Sequence, residues 1–444
     1  MHVIIENTVA LNTGDAAILV AIIDIVRETF GTDTRISVFD SAPDVASRYY
    51  PEIRFYPLTT SLLSGHLRLF GRQWKTPFRR LLSRAQRTAM RNAIDGMVAD
   101  ATTVRGSVFL DARARENLAL YLSADLVIST GGTYLVEHYK LRNRFDELHK
   151  DIALGKPLVL FTQSLGPFEQ PQNRKNMKCI ADAALLVLLR DLKSREHLRA
   201  IGVAHDRLEV VSDSVFALAN PAWLIAPPKR VGARRLRVAV SVRRWTHFEG
   251  RDRTTGTQRY EAAVAGSASA LVREKHAEIV FLSTCQGVPE YLYDDSLIAD
   301  RIYERLDPDV KHAVRVDREF HSPSALMAAL RDFDFAISTR MHMAILGLCA
   351  GLPVLPIAYE FKTTEVYRTL DQEQWVTDIS TIDRDAFIAL SLRFADSFDA
   401  FRQAVVPLVL EQAASARSAG RLIAERLEAV QSRQCSAIQP TGST

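Results

Sequence analysis

The most constraining feature of this sequence is a stretch that reads as a buried strand, a sharp turn, a buried helix and a second buried strand. Phe335–Ser338 and Val354–Tyr359 are short apolar runs, and Met341–Cys349 between them is apolar at nearly every position. A helix that is apolar on most sides is a buried one, and short continuous apolar strands are typical of a parallel sheet covered on both faces. The stretch therefore predicts a buried β-α-β unit.

Strand-like and helix-like runs alternate along nearly the whole chain, which favours parallel sheets joined by crossover helices. A stiff polar segment at residues 226–232, with two adjacent prolines, separates two such series. We predict an α/β fold with two doubly wound, Rossmann-like domains facing a cleft. The expected parts are an N-terminal domain at 1–226, a C-terminal domain at 231–395, a helix at 396–434 and a disordered tail at 435–444.

Composition and charge narrow the class of protein. The chain has 47% hydrophobic and 24% charged residues, as soluble globular proteins do, and a formal net charge of only +4 requires no nucleic-acid partner. The longest apolar runs, Ala16–Ile23 and Ala183–Leu189, are far shorter than the ~20 residues of a membrane span. Scattered cysteines, and a strand at residues 2–5 in place of a basic leader, lead us to expect a cytoplasmic protein.

The segment from Ile53 to Ile94 breaks the pattern, because it carries many arginines and no acidic residue. Apolar residues share one face at helical spacing, namely Phe70, Trp74, Phe78, Leu81 and Leu82. Two interpretations are open. In the first, Arg68–Arg91 is a basic amphipathic helix that contacts the inner face of a membrane. In the second, the helix packs on its own domain through its aromatic face and is otherwise exposed to solvent. Pro77 would kink or restart such a helix.

Cationic side chains follow the predicted strands of the second half. The candidates are Arg243 with Arg244, Arg340 with His342, and Tyr359 with Lys362. Ligands bind beyond the carboxyl ends of parallel strands, where Arg and Lys hold phosphates and carboxylates. We expect Arg340 to clamp an anion and His342 to act as a general acid or base near neutral pH. The alternatives are that His342 caps a helix and that Lys362 pairs with Glu365.

Small polar turns follow the predicted strands of the first half. The candidates there for acceptor binding or for the cleft are Asn12, Asp15, Gly131, Gly132, Gln163 and Ser164. Glycines let backbone N–H groups approach an anion, and Gln and Ser hydrogen-bond to sugar hydroxyls. Taken singly, Asp15 is equally explained as a helix cap and Gly131-Gly132 as a strand-to-helix turn. No metal-site spacing occurs, so we predict acid/base chemistry without a metal or cofactor.

Taken in order, these motifs resemble the polysaccharide pyruvyl transferase family. The matching residues are Asn12 to Asp15, Asp125 to Gly132, Gln163 to Phe168, Arg190-Asp191 with Ser194, Asp213 with Phe216, Ser338 to His342, and Pro353 to Tyr359 with Lys362. The likeness runs from about Val3 to Lys362. The chain departs from the family at Thr133, where a third glycine is common, and at Ser214, where proline often follows the aspartate.

The resemblance implies a fold like that of the GT-B glycosyltransferases, with the acceptor on the N-terminal domain, the donor on the C-terminal domain and the last helix crossing back to the first domain. It also implies transfer of pyruvate from phosphoenolpyruvate, as co-substrate, to a sugar of a polysaccharide, glycolipid or lipid-linked glycan, which forms a cyclic ketal. The carboxylate and phosphate of this donor need two cationic clamps, which Arg340, Arg243 or Arg244 and Lys362 can supply.

Two other functions stay open on the sequence. One is a GT-B glycosyltransferase or nucleotide-sugar epimerase, in which Glu360 or Glu365 would serve the donor site. The other is a non-catalytic sugar- or anion-binding protein of the same fold. A nucleotide-bearing ligand would distinguish the first of these from a pyruvyl transferase.

Overall fold

The structure is a computed structural model, and it describes residues 1–63, 67–69, 72–74, 79–99, 110, 112–225 and 235–438. The strands are β1 (His2–Thr8), β2 (Arg35–Asp40), β3 (Phe55–Pro57), β4 (Leu67–Leu69), β5 (Arg72–Trp74), β6 (Leu126–Ser129), β7 (Gly132–Leu135), β8 (Leu158–Leu165), β9 (Leu186–Leu189), β10 (Leu208–Val210), β11 (Arg237–Ser241), β12 (Glu278–Phe281), β13 (Val314–Val316), β14 (Phe335–Ser338), β15 (Val354–Ala358) and β16 (Thr377–Asp378).

The helices alternate with these strands. They are α1 (Thr13–Phe30), α2 (Pro43–Tyr49), α3 (Thr59–Leu62), α4 (Arg79–Ala99), α5 (Ala112–Ser123), α6 (Arg142–Ala153), α7 (Pro171–Ala183), α8 (Leu192–Ala200), α9 (Pro221–Ile225), α10 (Arg253–Lys275), α11 (Ser296–Glu304), α12 (Pro323–Leu330), α13 (Met341–Cys349), α14 (Phe361–Thr369) and α15 (Arg384–Ile438). Short 3-10 helices lie at Ser214–Leu218, Lys311–Ala313 and Glu373–Trp375. No helix among the described residues is long and apolar enough to cross a membrane.

The described residues group into two compact units. The first unit draws on Met1–Ala10, Ile22–Ser212 and Arg417–Thr444, and the second on Leu11–Ala21 and Asp213–Ala416. Both α1 and α15 therefore contribute residues to each unit. The linker expected at residues 226–232 lies outside the described residues, and α15 continues to Ile438, past the expected start of the tail at residue 435.

The first unit is built on a sheet in which every strand pair is parallel. Its order is β10-β9-β8-β6-β1-β2-β3, and β7 also pairs with β8. The chain moves outward from β1 to β3 and then returns to β6 on the other side of β1, which is the doubly wound topology. All seven residues of β1 are buried, as expected for a central strand covered on both faces.

The second unit has its own parallel sheet, in the order β13-β12-β11-β14-β15-β16. Counted from β11, this is the strand order 3-2-1-4-5-6 of a Rossmann fold, whose direction reverses between β11 and β14. Ser241 and Ser338 stand opposite each other at the carboxyl ends of these two strands. The predicted β-α-β unit at Phe335–Tyr359 is present as β14, α13 and β15.

The basic segment is not one helix. Residues 67–69 and 72–74 form an antiparallel pair, β4 and β5, and α4 begins only at Arg79, two residues after Pro77. Phe70 and Phe78, two residues of the predicted apolar face, lie outside the described residues. The buried face of α4, with Ala89, Met90, Ala93 and Ile94, packs in an apolar cluster of the first unit.

Candidate functional site

The reversal point of the second sheet gathers most of the predicted donor residues. Arg243 and Arg244 follow β11, and Arg340 and His342 follow β14, the strand beside it. Tyr359 and Lys362 follow β15 on the other side of β14. Parallel sheets bind ligands at this edge and at this point of the strand order, so the second unit has one coherent candidate site.

Arg340 has a side chain that is 14% exposed and held in one orientation. Its Nε and Nη2 donate to the two carboxylate oxygens of Asp295, at 2.8 and 2.7 Å. Burial alone would lower the pKa of Arg340, but the Asp295 carboxylate outweighs it and holds the pKa well above its usual range. Asp295 is fixed in turn by the Ser283 hydroxyl, which donates to Oδ2 at 2.6 Å. The fork of Arg340 is thus occupied on two nitrogens, and Nη1 is the one that Asp295 does not engage.

His342 lies in the first turn of α13, between an acidic residue and a glycine. Its Nε2 is 3.6 Å from Oδ2 of Asp213, and its side chain is 14% exposed. Gly14 lies against the ring, since a Cβ at position 14 would come within 3.0 Å of both Cβ and Nδ1 of His342. The ring therefore has a carboxylate beside one nitrogen and, beside the other, the space that a side chain at position 14 would fill.

A second group of cations surrounds the ring of Tyr359. The guanidinium of Arg243 lies 3.8 Å from the ring centroid, and Nζ of Lys362 lies 5.3 Å from it. Burial raises the pKa of the Tyr359 phenol, but Lys362, Arg243 and Arg340 together lower it below its usual range. Trp245 packs beside Tyr359 with ring centroids 4.8 Å apart. This part of the site is therefore strongly cationic.

Two features of these cations differ from the expectation: the partner of Lys362 and the equivalence of Arg243 with Arg244. Lys362 pairs with Glu360 at 2.7 Å, and Glu365 instead pairs with Arg368. Arg243 is half-buried and stacked, whereas the Arg244 side chain is exposed. The two adjacent arginines are thus not equivalent.

Asn12 and Asp15 belong to the second unit. Asn12 stands immediately before α1, and its Oδ1 accepts from the Gly14 N–H at 2.9 Å, so Asn12 and not Asp15 caps the helix. Nδ2 of Asn12 donates to Asp15 at 2.9 Å. The charge of Asp15 adds to burial in raising the pKa of Tyr291, and burial raises that of Cys285 to about 12. Asp15 is therefore close to both groups.

The other four predicted residues lie in the first unit. Gly131 and Gly132 connect β6 to β7, so the predicted alternative of a strand-to-helix turn is wrong. Gly132 has a φ of 127°, which only glycine adopts readily. Gln163 donates through Nε2 to the Tyr134 hydroxyl at 2.9 Å, and Ser164 donates to Asp191 at 2.6 Å.

Arg190 ties these elements of the first unit together. It donates through Nε to Ser164 at 2.8 Å and through Nη2 to Thr133 at 2.7 Å. Asn7, which has a φ of 64° at the end of β1, accepts from Nη1 of Arg144 at 2.8 Å. The carboxyl edge of the first sheet thus presents neutral polar groups with two arginines.

Behind that edge lies a buried group of charges. Nζ of Lys150 is 2.9 Å from Glu147, 3.2 Å from Glu6 and 3.3 Å from Asp151. The Tyr121 hydroxyl donates to Glu6 at 2.6 Å. Burial, followed by the charge of Glu6, raises the pKa of Asp151 well above its usual range, although Lys150 opposes this. The group consists of three acids around one amine inside the core of the first unit.

Sequence reasoning missed Asp295, Asp213 as a partner of His342, and Tyr291. Asp295 is 45 residues before Arg340 and directly precedes α11. The N–H of Ser296, the first residue of α11, donates to Oδ1 of Asp294 at 2.9 Å. Among the described residues, no group of three or more His, Cys, Asp or Glu could hold a metal ion.

Solved structures show the fold. A UDP-GlcNAc 2-epimerase from Neisseria meningitidis, bound to UDP-GlcNAc, aligns over 96% of this chain and 99% of its own with a TM-score of 0.54 at 11% identity. An α,α-trehalose 6-phosphate synthase from Burkholderia multivorans aligns over 100% and 99%, with a TM-score of 0.51 at 15% identity. Such neighbours have the GT-B fold, so the predicted α/β, GT-B-like class is confirmed.

Sequence relatives show the family. The amylovoran biosynthesis protein AmsJ of Erwinia amylovora is 26% identical over 426 residues, which are 92% of this chain and 95% of AmsJ. The family model for polysaccharide pyruvyl transferase matches residues 12–360, from Asn12 of the α1 cap to Glu360 beside Lys362. Together they support a glycan-modifying transferase. The family that the motifs predicted is confirmed, and this chain belongs to the polysaccharide pyruvyl transferases.

Proposed function

We propose that this protein transfers pyruvate from phosphoenolpyruvate to a sugar of a polysaccharide or glycolipid and forms a cyclic ketal. The observation that carries the proposal is the site of the second unit, where Arg243, Arg340 and Lys362 surround Tyr359 and His342 lies on the same strand edge. A donor with both a phosphate and a carboxylate needs several cations close together, with a proton donor beside them.

The cations have different parts in holding the donor. Arg340 is kept rigid by Asp295, so it would present Nη1 to an anion at little entropic cost. The guanidinium of Arg243 lies over the ring of Tyr359 and its Nε donates to the Arg244 carbonyl, which leaves its two terminal nitrogens for a bidentate contact with a phosphate or carboxylate. Lys362 is partly neutralised by Glu360 and would add a single charge.

The reaction needs a proton donor that is protonated again before the next turnover. His342 gives a proton to the methylene carbon of phosphoenolpyruvate, which becomes a methyl group, while the neighbouring carbon becomes oxocarbenium-like. A sugar hydroxyl attacks that carbon and its proton returns to His342. The C–O bond to phosphate breaks, a second hydroxyl closes the ketal, and its proton leaves with the phosphate. An imidazole is suited to both transfers near neutral pH.

The acceptor side is proposed to lie in the first unit, at Gln163, Ser164, Gly131 and Gly132. The supporting observation is that neutral hydroxyl, amide and backbone groups line that strand edge, as recognition of sugar hydroxyls requires. Asn12 and Asp15, which belong to the second unit, would contact the acceptor beside His342.

A cytoplasmic location and contact with the inner face of a membrane stay predictions. Because the apolar face of α4 is buried within the first unit, such a contact would use its outward face, where Arg84 and Arg91 are exposed. Sedimentation with anionic vesicles, for the wild type and a variant with both charges reversed, tests it. Unchanged sedimentation of that variant would exclude this surface.

The proposed reaction is tested by phosphate release from phosphoenolpyruvate with a panel of glycan and glycolipid acceptors. We expect acceptor-dependent release that falls at least about 100-fold in His342→Ala, the range of one general acid/base group, and in Arg340→Ala. His312→Ala and Arg318→Ala are matched controls, because both side chains are exposed in the same unit. Both controls should keep full activity.

Thermal stabilisation is read in the same samples. If no acceptor supports release but phosphoenolpyruvate raises the melting temperature, the donor assignment holds and the acceptor is missing from the panel. Stabilisation by a UDP-sugar and not by phosphoenolpyruvate would overturn the proposal in favour of a glycosyltransferase or epimerase. Neither ligand stabilising the wild type would exclude both donors.

A further inference from the structure

Asp213 is a buried carboxylate beside His342, the proposed acid/base residue. The reaction described above assigns no role to Asp213. It is 3% exposed and directly precedes the 3-10 helix Ser214–Leu218. Its Oδ1 accepts from the Val215 N–H at 3.0 Å, which fixes the side chain. Its other oxygen, Oδ2, is the atom 3.6 Å from Nε2 of His342. The two carboxylate oxygens therefore face different partners.

The elements that carry the two residues are tied to each other. The Asn220 N–H, just beyond the 3-10 helix, donates to the Cys349 carbonyl at the end of α13, at 3.3 Å. The Cys349 thiol contacts the Val215 carbonyl oxygen at 3.6 Å. Since α13 also carries His342 in its first turn, the distance between Asp213 and His342 is set by packing between two backbones.

The other side of the ring is also fixed. A Cβ at position 14 would lie 3.0 Å from both Nδ1 and Cβ of His342, and the Gly14 N–H donates to Asn12 Oδ1. The ring thus lies between α1 and the 3-10 helix of the same unit. A separation of 3.6 Å exceeds hydrogen-bond length, but catalytic contacts are often long without substrate and shorten in the complex.

We propose that Asp213 is the positioning residue of His342: it keeps a proton on Nε2 and fixes the ring plane, so that Nδ1 is the nitrogen that gives and takes back the transferred proton. The physical reason is that a carboxylate beside one imidazole nitrogen selects the tautomer and the orientation of the ring. The effect on catalysis rests on the proposed function. The tautomer of His342, in contrast, can be measured on the protein without any substrate.

The decisive variant is Asp213→Asn. The amide oxygen of Asn still accepts from the Val215 N–H, so the cap is kept while the charge beside His342 is removed. We expect kcat for phosphate release to fall by about 10–100-fold, as for other residues that orient a reacting group. KM for phosphoenolpyruvate and the melting temperature should stay close to the wild-type values. A merely structural role would lower stability and leave kcat per folded molecule unchanged, which would overturn the proposal.

A second measurement does not depend on activity. With ¹⁵N-labelled histidine, the His342 ring signals are identified by their loss in His342→Gln. We expect a proton fixed on Nε2 in the wild type and a mixture of tautomers in Asp213→Asn. Asp252→Asn is the control, since Asp252 caps α10 through the Thr255 N–H without facing a ring.

The two readouts separate this inference from the proposed function. A fixed tautomer that is lost in Asp213→Asn supports the positioning role even if no acceptor yields phosphate. Identical ring signals in wild type and Asp213→Asn would overturn it, even if the protein proves to be a pyruvyl transferase.

Discussion

At the scale of single residues, the cations of the site differ in the contacts that each already makes within the protein. Arg340 is locked to Asp295 through two nitrogens, Lys362 is shared with Glu360, and Arg243 stacks on Tyr359. Residue type alone predicted that all three could hold an anion, and the contacts show how their surroundings differ. Arg243 keeps most of its hydrogen-bonding capacity for a ligand because an aromatic face uses its charge and not its N–H groups.

The two adjacent arginines give a test at this scale. Arg243→Met should raise KM for phosphoenolpyruvate by about 10–100-fold, because a hydrogen-bonded charge contributes about 1.5–3 kcal/mol. Arg244→Met removes the same side chain from an exposed position one residue later, and the rise should be under about threefold. Steady-state kinetics at a fixed acceptor concentration measure both. Equal effects of the two substitutions would contradict a stacked Arg243 as the clamp.

At the scale of elements, the apolar pattern predicted the strands and helices that are buried, and failed where an element is short or polar. β14, α13 and β15 were expected from their apolar runs. β7 was not, because Gly132-Thr133-Tyr134 has no alternating apolar pattern, although the strand pairs with β8. The basic segment was interpreted by helical spacing, whereas its described residues include the antiparallel strands β4 and β5 as well as the helices α3 and α4.

The charges buried between β1 and α6 give a test at the scale of elements. Lys150→Met should lower the free energy of unfolding by about 3–5 kcal/mol, since it leaves Glu6, Glu147 and Asp151 in the core without their cation. Lys178→Met is the matched control. Its exposed pair with Asp182 is expected to contribute about 0–1 kcal/mol.

Urea denaturation of both lysine variants, followed by circular dichroism, gives the two free energies. A Lys150→Met protein as stable as Lys178→Met would mean that the three acids are neutral in the folded state and need no amine.

At the scale of the whole molecule, the chain forms two units that each have a complete parallel sheet and their own strand edge. The sequence predicted two domains divided at one linker, with the last helix crossing back to the first. In the structure, residues from 417 onward group with the first unit, and residues 11–21, which were expected in the first domain, group with the second. Dividing the sequence at a single linker could not show that α1 and α15 each contribute residues to both units, because each is a continuous helix with one apolar pattern.

Hydrogen exchange with bound donor gives a test at this scale. Phosphoenolpyruvate should slow exchange in peptides that cover the first turn of α13, the segment after β11 and the cap of α1, because all three belong to the second unit. Peptides that cover β6 and β7 should be unaffected until an acceptor glycan is added. Donor-dependent protection at β6 and β7 alone would place the donor in the first unit and contradict the assignment.

The sequence by itself determined the fold class, the family and the strand ends that carry Arg243, Arg340, His342, Tyr359 and Lys362, because hydrophobic periodicity and local turn chemistry are readable within a short stretch. Only the tertiary structure decided which of these charges are paired. Asp295 holds Arg340 from 45 residues away, and Asp213 faces His342 from 129 residues away. Such contacts are set by how helices pack on a sheet, and no local pattern encodes them.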